Sequence, residues 1–326
     1  MVTYNYSNTT MFEIKNDALR YTWAGWYILV ILSSLVGDTT ILYSSLRHKV
    51  FNLHVVIVTF IQQIAALDLV LCVVWVMPNA VSTIMGGRGW DLGMPFSYIR
   101  VFVCYYCYPA GTLLICALVT TKLLMLKYPL RASTWSKKRA YRVSLAISLL
   151  SLYNPVTFLI VDKEDLYYDA RVFTYDYGFS SDTWHFLAPI ASLILLLTPN
   201  IVIVVATVML IIKAAKGARD CQRSVRWQGI MMVIVSASVY TLSVIPMTIY
   251  SIVEPHLEKD PIQPDFFHAY FYGIALTVAI NLNLMGNFFT YFLTVTGFRV
   301  FVITRIKKWT PCSKNVRGQE GKSVSN

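Results

Sequence analysis

The stretch Ile115–Arg131, ICALVTTKLLMLKYPLR, decides how the rest of the chain is read. It begins as an apolar helix and stays apolar for almost its whole length. Lys122 interrupts it from within, and Lys127, Tyr128 and Pro129 close it. Proline ends such a helix because it lacks a backbone donor and restrains its predecessor. A cation one or two turns from the end of an apolar helix is costly unless it meets water, phosphates or a partner. Two readings stand side by side. Lys122 is either a side chain that snorkels to the membrane surface or a charge on a cytoplasmic face that moves.

The chain has 326 residues, of which 56% are apolar and 14% charged. That composition is too oily for an ordinary soluble domain. Seven helices of about 25 residues use roughly half of such a chain and leave short loops. The formal charge is +11. On a membrane protein such an excess belongs on the cytoplasmic side. It argues against a nucleic-acid partner, because no basic cluster is interleaved with aromatics on a soluble module. Of the six cysteines, Cys72, Cys104, Cys107 and Cys116 fall in apolar segments, and Cys221 and Cys312 in basic ones. None has zinc-ligand spacing with histidines, so neither a metal nor a cofactor is expected. Buried free thiols fit better.

Apolar segments lie at about 22–46, 53–84, 95–127, 139–161, 184–214, 226–253 and 266–295, each long enough to span a bilayer. The connecting residues alternate in sign. Arg47 and Lys49, then Arg131, Lys137, Lys138, Arg139 and Arg142, then Lys213, Lys216, Arg219 and Arg223, then Arg299, Arg305, Lys307 and Lys308 follow the odd-numbered segments. Asp162, Glu164, Asp165, Asp169, Asp176 and Asp182 follow the fourth, and Glu254, Glu258, Asp260 and Asp265 the sixth. The positive-inside rule then gives seven spans with the N-terminus outside. The expected organisation is an all-α seven-transmembrane bundle at 22–295, an extracellular tail at 1–21, and an amphipathic helix with a cytoplasmic tail at 296–326. The tail carries two glycosylation sequons, at Asn5 and Asn8. It has no signal-peptide pattern, so the first span is expected to act as its own anchor. Phe298, Phe301, Val302 and Arg305 recur at helical spacing, which suits a helix on the inner leaflet. Cys312 beyond it is a candidate for palmitoylation or a plain exposed thiol.

Ionisable groups at membrane depth are functional candidates. Asp38 lies in the first span, Asp68 in the second, and Asn281, Asn283 and Asn287 in the seventh. Pro78, Pro199 and Pro246 are expected to break spans two, five and six. The polar set either fixes packing by hydrogen bonds between helices or forms a network that shifts between states, with or without a bound ion.

These residues, in this order, resemble the rhodopsin-like G-protein-coupled receptors. Pro129-Leu130 sets the register of the third helix, and Thr121-Lys122-Leu123 stands where that family has Asp-Arg-Tyr. Asp68 matches the acid of its second helix, and Asp38 stands where it usually has Asn. Pro199 and Pro246 match its prolines. Asn287-Phe288-Phe289-Thr290-Tyr291 is similar to Asn-Pro-x-x-Tyr, with Phe288 for Pro, and Trp90 resembles the tryptophan of the first outer loop. Several usual features are absent. The cysteine that staples helix three falls at Ser97, the helix-six tryptophan at Val244, and the helix-five tyrosine at Thr207. The retinal lysine falls at Asn281 and the amine-anchoring acid at Cys104, which argues against retinal and amine ligands. Gly111 and Leu284 stand where sodium-binding hydroxyls are usual.

The resemblance implies a plasma-membrane receptor for an extracellular ligand, working through a heterotrimeric G protein in membrane lipid, and not an enzyme. Arg100, Cys104, Tyr105, Tyr108, Tyr250 and Asn281 become the candidate ligand residues. Rings at helical spacing also serve plain packing. A cation such as Arg100 calls for an anion, from a ligand or from the acids of residues 162–182. A peptide is the first expected ligand and a small environmental chemical the second. Asp38, Asp68, Asn283, Asn287 and Tyr291 become the polar core, with sodium a possible occupant. Lys122 and Arg226 become the coupling pair: Arg226 stands where such receptors often carry an acid, so like charges face each other. The competing class is a proton- or ion-coupled transporter using Asp38 and Asp68. It is disfavoured by the absence of an inverted repeat and of paired broken helices.

Overall fold

The computed structural model of the chain describes residues 17–47, 50–51, 53–85, 94–161, 166–169, 174–177, 193–221, 225–257 and 266–309. Asn5, Asn8, Trp90 and Cys312 lie outside them, as do the side chains of Ser97, Arg226, Pro246 and Tyr250. Helix α1 runs Asp17–Arg47, so it begins inside the stretch read as a polar tail. The second segment is α2 (Val55–Leu71), a wide π turn (Cys72–Val76) and α3 (Met77–Ile84). Helix α4 (Met94–Lys127) is followed by α5 (Pro129–Ser133), with Tyr128 between them. Pro129 thus stops one helix and occupies the first position of the next, where its missing donor costs nothing.

The fourth segment is divided at Leu152 into α6 (Lys137–Ser151) and α7 (Tyr153–Val161). A π turn (Leu193–Leu197) leads into α8 (Thr198–Cys221). Helices α9 (Val225–Leu257), α10 (Phe266–Thr294) and α11 (Thr296–Trp309) complete the chain. The acidic loop after α7 contains two strands, β1 (Leu166–Asp169) and β2 (Thr174–Tyr177), paired antiparallel with Leu166 opposite Tyr177 and Asp169 opposite Thr174. No strand was expected there.

Among the described residues five helices are long and apolar enough to cross a membrane: Arg20–Arg47, Val55–Ile84, Tyr98–Lys127, Ile194–Ala215 and Trp227–Ile245. Asn281–Thr294 and Thr296–Lys307, bent by 100°, make a sixth if counted together. Neither half of the fourth segment reaches that length, so among the described residues length and apolarity alone mark five or six crossings. Exposed apolar side chains such as Leu29, Leu32, Val36, Ile201, Val205 and Leu242 line the outward faces. That is how a helix meets lipid rather than water.

Helix α4 is central, packing against α2, α6, α7, α8 and α9, while α1 packs against both α2 and α10. One apolar core, including Phe60, Leu118, Tyr240 and Phe298, fills the inner part of the bundle, and a second, including Trp23, Tyr27, Tyr108 and Leu284, lies apart from it. Close approach of α1 to α10 depends on Gly37, because a Cβ there would sit 2.6 Å from the Cβ of Phe288. Phe288 also stacks on Phe292 at 5.9 Å and meets Phe298 edge-on at 5.9 Å, which ties α11 to the bundle. The expected amphipathic stripe is seen in α11: Phe298 and Val302 are buried, Phe301 half-buried and Arg305 exposed.

Candidate functional site

Three clusters of polar groups run along the bundle. The middle one contains Asp38, 1% exposed, and Asp68, 7% exposed. Ser34, one turn before Asp38 on α1, donates to its Oδ2 at 2.7 Å, while Oδ1 is buried with no hydrogen-bond partner among the described residues. Asn287 of α10 donates to Asp68 Oδ2 at 2.5 Å. The two carboxylates are close enough to act on each other electrostatically, and Cys72 in the π turn feels both. Tyr291 is buried one turn beyond Asn287 and packs edge-on against Phe51 at 5.7 Å. Asn283 is half-buried, a turn away from the Asp68–Asn287 bond. The donors do not fit the sodium site of rhodopsin-like receptors. Leu284 is buried in the second core, Gly111 offers no side chain, and the hydroxyl of neighbouring Thr112 is spent on the Tyr108 carbonyl at 2.9 Å and on the Tyr240 hydroxyl.

In the outer cluster Arg100, expected to face a ligand or the acids of residues 162–182, is 1% exposed and donates to Asn79 Oδ1 of α3 at 3.0 Å. Its guanidinium lies 5.3 Å from the centre of the Trp75 ring. A buried cation takes neutral acceptors and a ring face when they are pre-placed, and the second segment supplies both. Cys104 and Tyr105 are half-buried, and Tyr108 and Asn281 are buried. The Tyr108 hydroxyl and the Asn281 amide nitrogen are buried without a hydrogen-bond partner among the described residues. Buried polar atoms left unsatisfied are unusual enough to mark a place where a further partner belongs. Cys72, Cys104, Cys107 and Cys116 are free thiols.

The inner cluster is built on Lys122, 9% exposed near the end of α4. Its ammonium is near Gly229 of α9: a Cβ at 229 would lie 2.9 Å from Lys122 Nζ and 2.8 Å from Leu53 Cδ2. Arg226 stands one turn before Gly229 in the same helix. His54 precedes α2 and caps it, accepting from the Val56 amide at Nδ1 over 3.4 Å. Burial, and then the charge of Lys122, holds the His54 imidazole below its ordinary 6.5. His54, Lys122 and Pro129 also line a recess of about 260 Å³ between the start of α2, the end of α4 and α5.

Of the residues singled out in the sequence, Asp38, Asp68, Asn287, Tyr291 and Lys122 are all buried. Sequence reasoning missed Ser34, Asn79, Trp75, Thr112, Tyr240 and Gly229. Ser34 had a signal, its i, i+4 spacing from Asp38 on one helix face. Gly229 had a weaker one, its place one turn after Arg226. The family model for the 7 transmembrane receptor (rhodopsin family) matches residues 37–306, which include every residue of the three clusters except Ser34. Among curated proteins no relative matches the chain.

Proposed function

Because the chain belongs to the rhodopsin family of seven-transmembrane receptors, we propose that it is a plasma-membrane receptor which binds an extracellular ligand and activates a heterotrimeric G protein by rearranging its helices. It is a signalling receptor and not an enzyme. The reading is carried by the bond from Asn287 to Asp68, which joins the second and last segments at the positions where the family keeps its polar core. The matched region extends through the buried basic end of α4.

The finer reading has seven crossings with residues 1–21 outside, Asn5 and Asn8 glycosylated, residues 296–326 inside, and Cys312 available for acylation. Alternating loop charge supports it. Ligand enters from the outer side, over Cys104, Tyr105, Tyr108, Tyr250 and Asn281. Arg100 belongs to that set, with its guanidinium oriented by Asn79 and the Trp75 ring. A peptide is the ligand class favoured by the acidic loop that carries β1 and β2. The unsatisfied Tyr108 and Asn281 atoms favour a small environmental chemical as the second reading.

The deciding experiment expresses the chain with a panel of chimeric G proteins and reads basal and ligand-driven coupling, with surface expression matched. Coupling to at least one chimera is expected. Correct surface display with no coupling to any of them, basal or driven, refutes the G-protein half of the proposal.

A further inference from the structure

We infer that the outward face of α6 holds an anionic phospholipid with more than one phosphate, taken from the leaflet that borders the basic loops; this rests on the fourth segment crossing the bilayer, as proposed above. Helix α6 turns one face inward through Ala140, Ser144, Ile147 and Ser151, all buried, and Ser144 donates to Gln63 of α2. With 3.6 residues per turn, the opposite face is the row Lys138, Arg142, Leu145 and Leu149. All four are exposed, Leu145 by 61% and Leu149 by 62%. The row therefore runs from charge at the loop end to bare leucine deeper in, on the side of α6 turned away from the bundle.

A phospholipid changes character along its length in the same order. Leu145 and Leu149 offer its acyl chains an apolar track. Arg142 stands nearer the loop, and an outward-facing cation that far into a membrane helix is costly unless it meets a phosphate. Its guanidinium takes phosphate oxygens two at a time. Lys138 lies one turn further out, about 6 Å along the axis. As a compact point charge it suits a second phosphate, carried on the headgroup. Cations beside rings flank the row. Arg139 lies 4.4 Å from the centre of the Trp135 ring on one side, and Lys137 5.4 Å from that of Tyr141 on the other. No Asp or Glu occurs between Asp91 and Asp162, so the segment brings no carboxylate of its own to these cations. A zwitterionic headgroup offers its phosphate to Arg142 beside a cation of its own, and leaves Lys138 unanswered. Binding is therefore expected to follow the number of phosphates, which the general attraction of basic loops to an anionic surface does not require.

Native mass spectrometry of the full-length protein tests this. The protein is released from micelles doped with phosphatidylinositol bisphosphate, phosphatidylserine or phosphatidylcholine, and the retained lipids are counted. The bisphosphate lipid is expected to be retained most. Lys138→Gln with Arg142→Gln is expected to cut its retention roughly tenfold or more, as the loss of two basic contacts with an anionic surface implies. Lys213→Gln with Lys216→Gln removes the same charge from the end of α8 and is expected to change retention by no more than about twofold. The soluble bisphosphorylated headgroup, which lacks the chains that lie on Leu145 and Leu149, is expected to compete only at far higher concentration. A photoreactive group on the acyl chain of the bisphosphate lipid is expected to crosslink within residues 145–149, and the same group on phosphatidylcholine to do so less. Equal losses from the two double variants, or equal competition by the soluble headgroup, overturn the site. If the two photoreactive lipids label α6 alike, the segment faces lipid, so the crossing stands and the site fails. If neither labels α6, the crossing itself fails and the site falls with it.

Discussion

A carboxylate accepts hydrogen bonds at both oxygens, and at Asp38 only Oδ2 is supplied, by Ser34. Its Oδ1 is buried without a partner among the described residues, and Asp68 adds a like charge from α2. In an apolar site that arrangement costs energy unless a proton or a cation is shared. Asp38→Asn restores the residue usual at this place in rhodopsin-like receptors and removes one of the two repelling charges. It is expected to fold, to raise stability by removing that repulsion, and to change how melting depends on pH. Thermal melts of parent and variant across pH check this; identical behaviour leaves packing as the sole role of Asp38. His54 makes a separate pH claim outside the bilayer. Its folded value lies below 6.5, through burial and then through Lys122. The unfolded chain therefore takes up a proton first as pH falls through 6.5, and stability drops until the folded imidazole also charges. His54→Gln is expected to flatten the pH dependence of melting below about 6.5. A curve as steep as the parent's would remove His54 as its source.

At the scale of elements, the outer end of α4 is tied to α3 by side chains. Arg100 joins Asn79 and Trp75, and the staple cysteine usual in rhodopsin-like receptors is replaced here by Ser97. Removing one partner of a buried charge costs more than replacing the charge itself. Asn79→Ala is expected to destabilise by about 1–3 kcal/mol, whereas Arg100→Met, of similar length and apolar, is expected to cost less. Parent surface expression should survive mild reductant. Melts of the two variants decide the order, and the reverse order would show that the clamp does not hold this end. Helix positions were legible because long apolar runs bounded by charge or proline admit few readings. The expected breaks were less so. Proline 78 and proline 199 each follow a π turn, at Cys72–Val76 and Leu193–Leu197, which takes up the lost donor without ending the segment. Helix α9 continues through Pro246, and α4 contains Pro109. The Lys122–Gly229 contact was not legible, because a glycine's value to a distant side chain lies in tertiary packing and leaves no local pattern.

For the whole molecule, the question is which way the bundle sits. Exposed apolar faces on α1, α8 and α9 require lipid around the helices, yet they say nothing of direction. Direction comes from the loops. Basic residues gather after the first, third, fifth and seventh segments, at Arg47, at Lys137–Arg142, at Lys213–Arg223 and at Arg299–Lys308, and acids gather after the fourth and sixth. Moving the basic set across a bilayer would leave each cluster on the side where positive-inside bias disfavours it. Lys137 lies 5.4 Å from the centre of the Tyr141 ring, Arg139 4.4 Å from that of Trp135, and Arg305 5.7 Å from that of Tyr43. Aromatic rings are enriched at both membrane–water boundaries, so these pairs suit a helix end near either surface and leave the direction to the loop charges. The expected topology is therefore seven crossings, with residues 1–21 outside and residues 296–326 inside. Epitope tags at the two ends of the chain test it in intact cells. The N-terminal tag should bind antibody without permeabilisation and the C-terminal tag only after it. A C-terminal tag reached from outside would mean an even number of crossings or an inverted bundle. An inverted bundle would also move Lys122 and His54 away from the G-protein side.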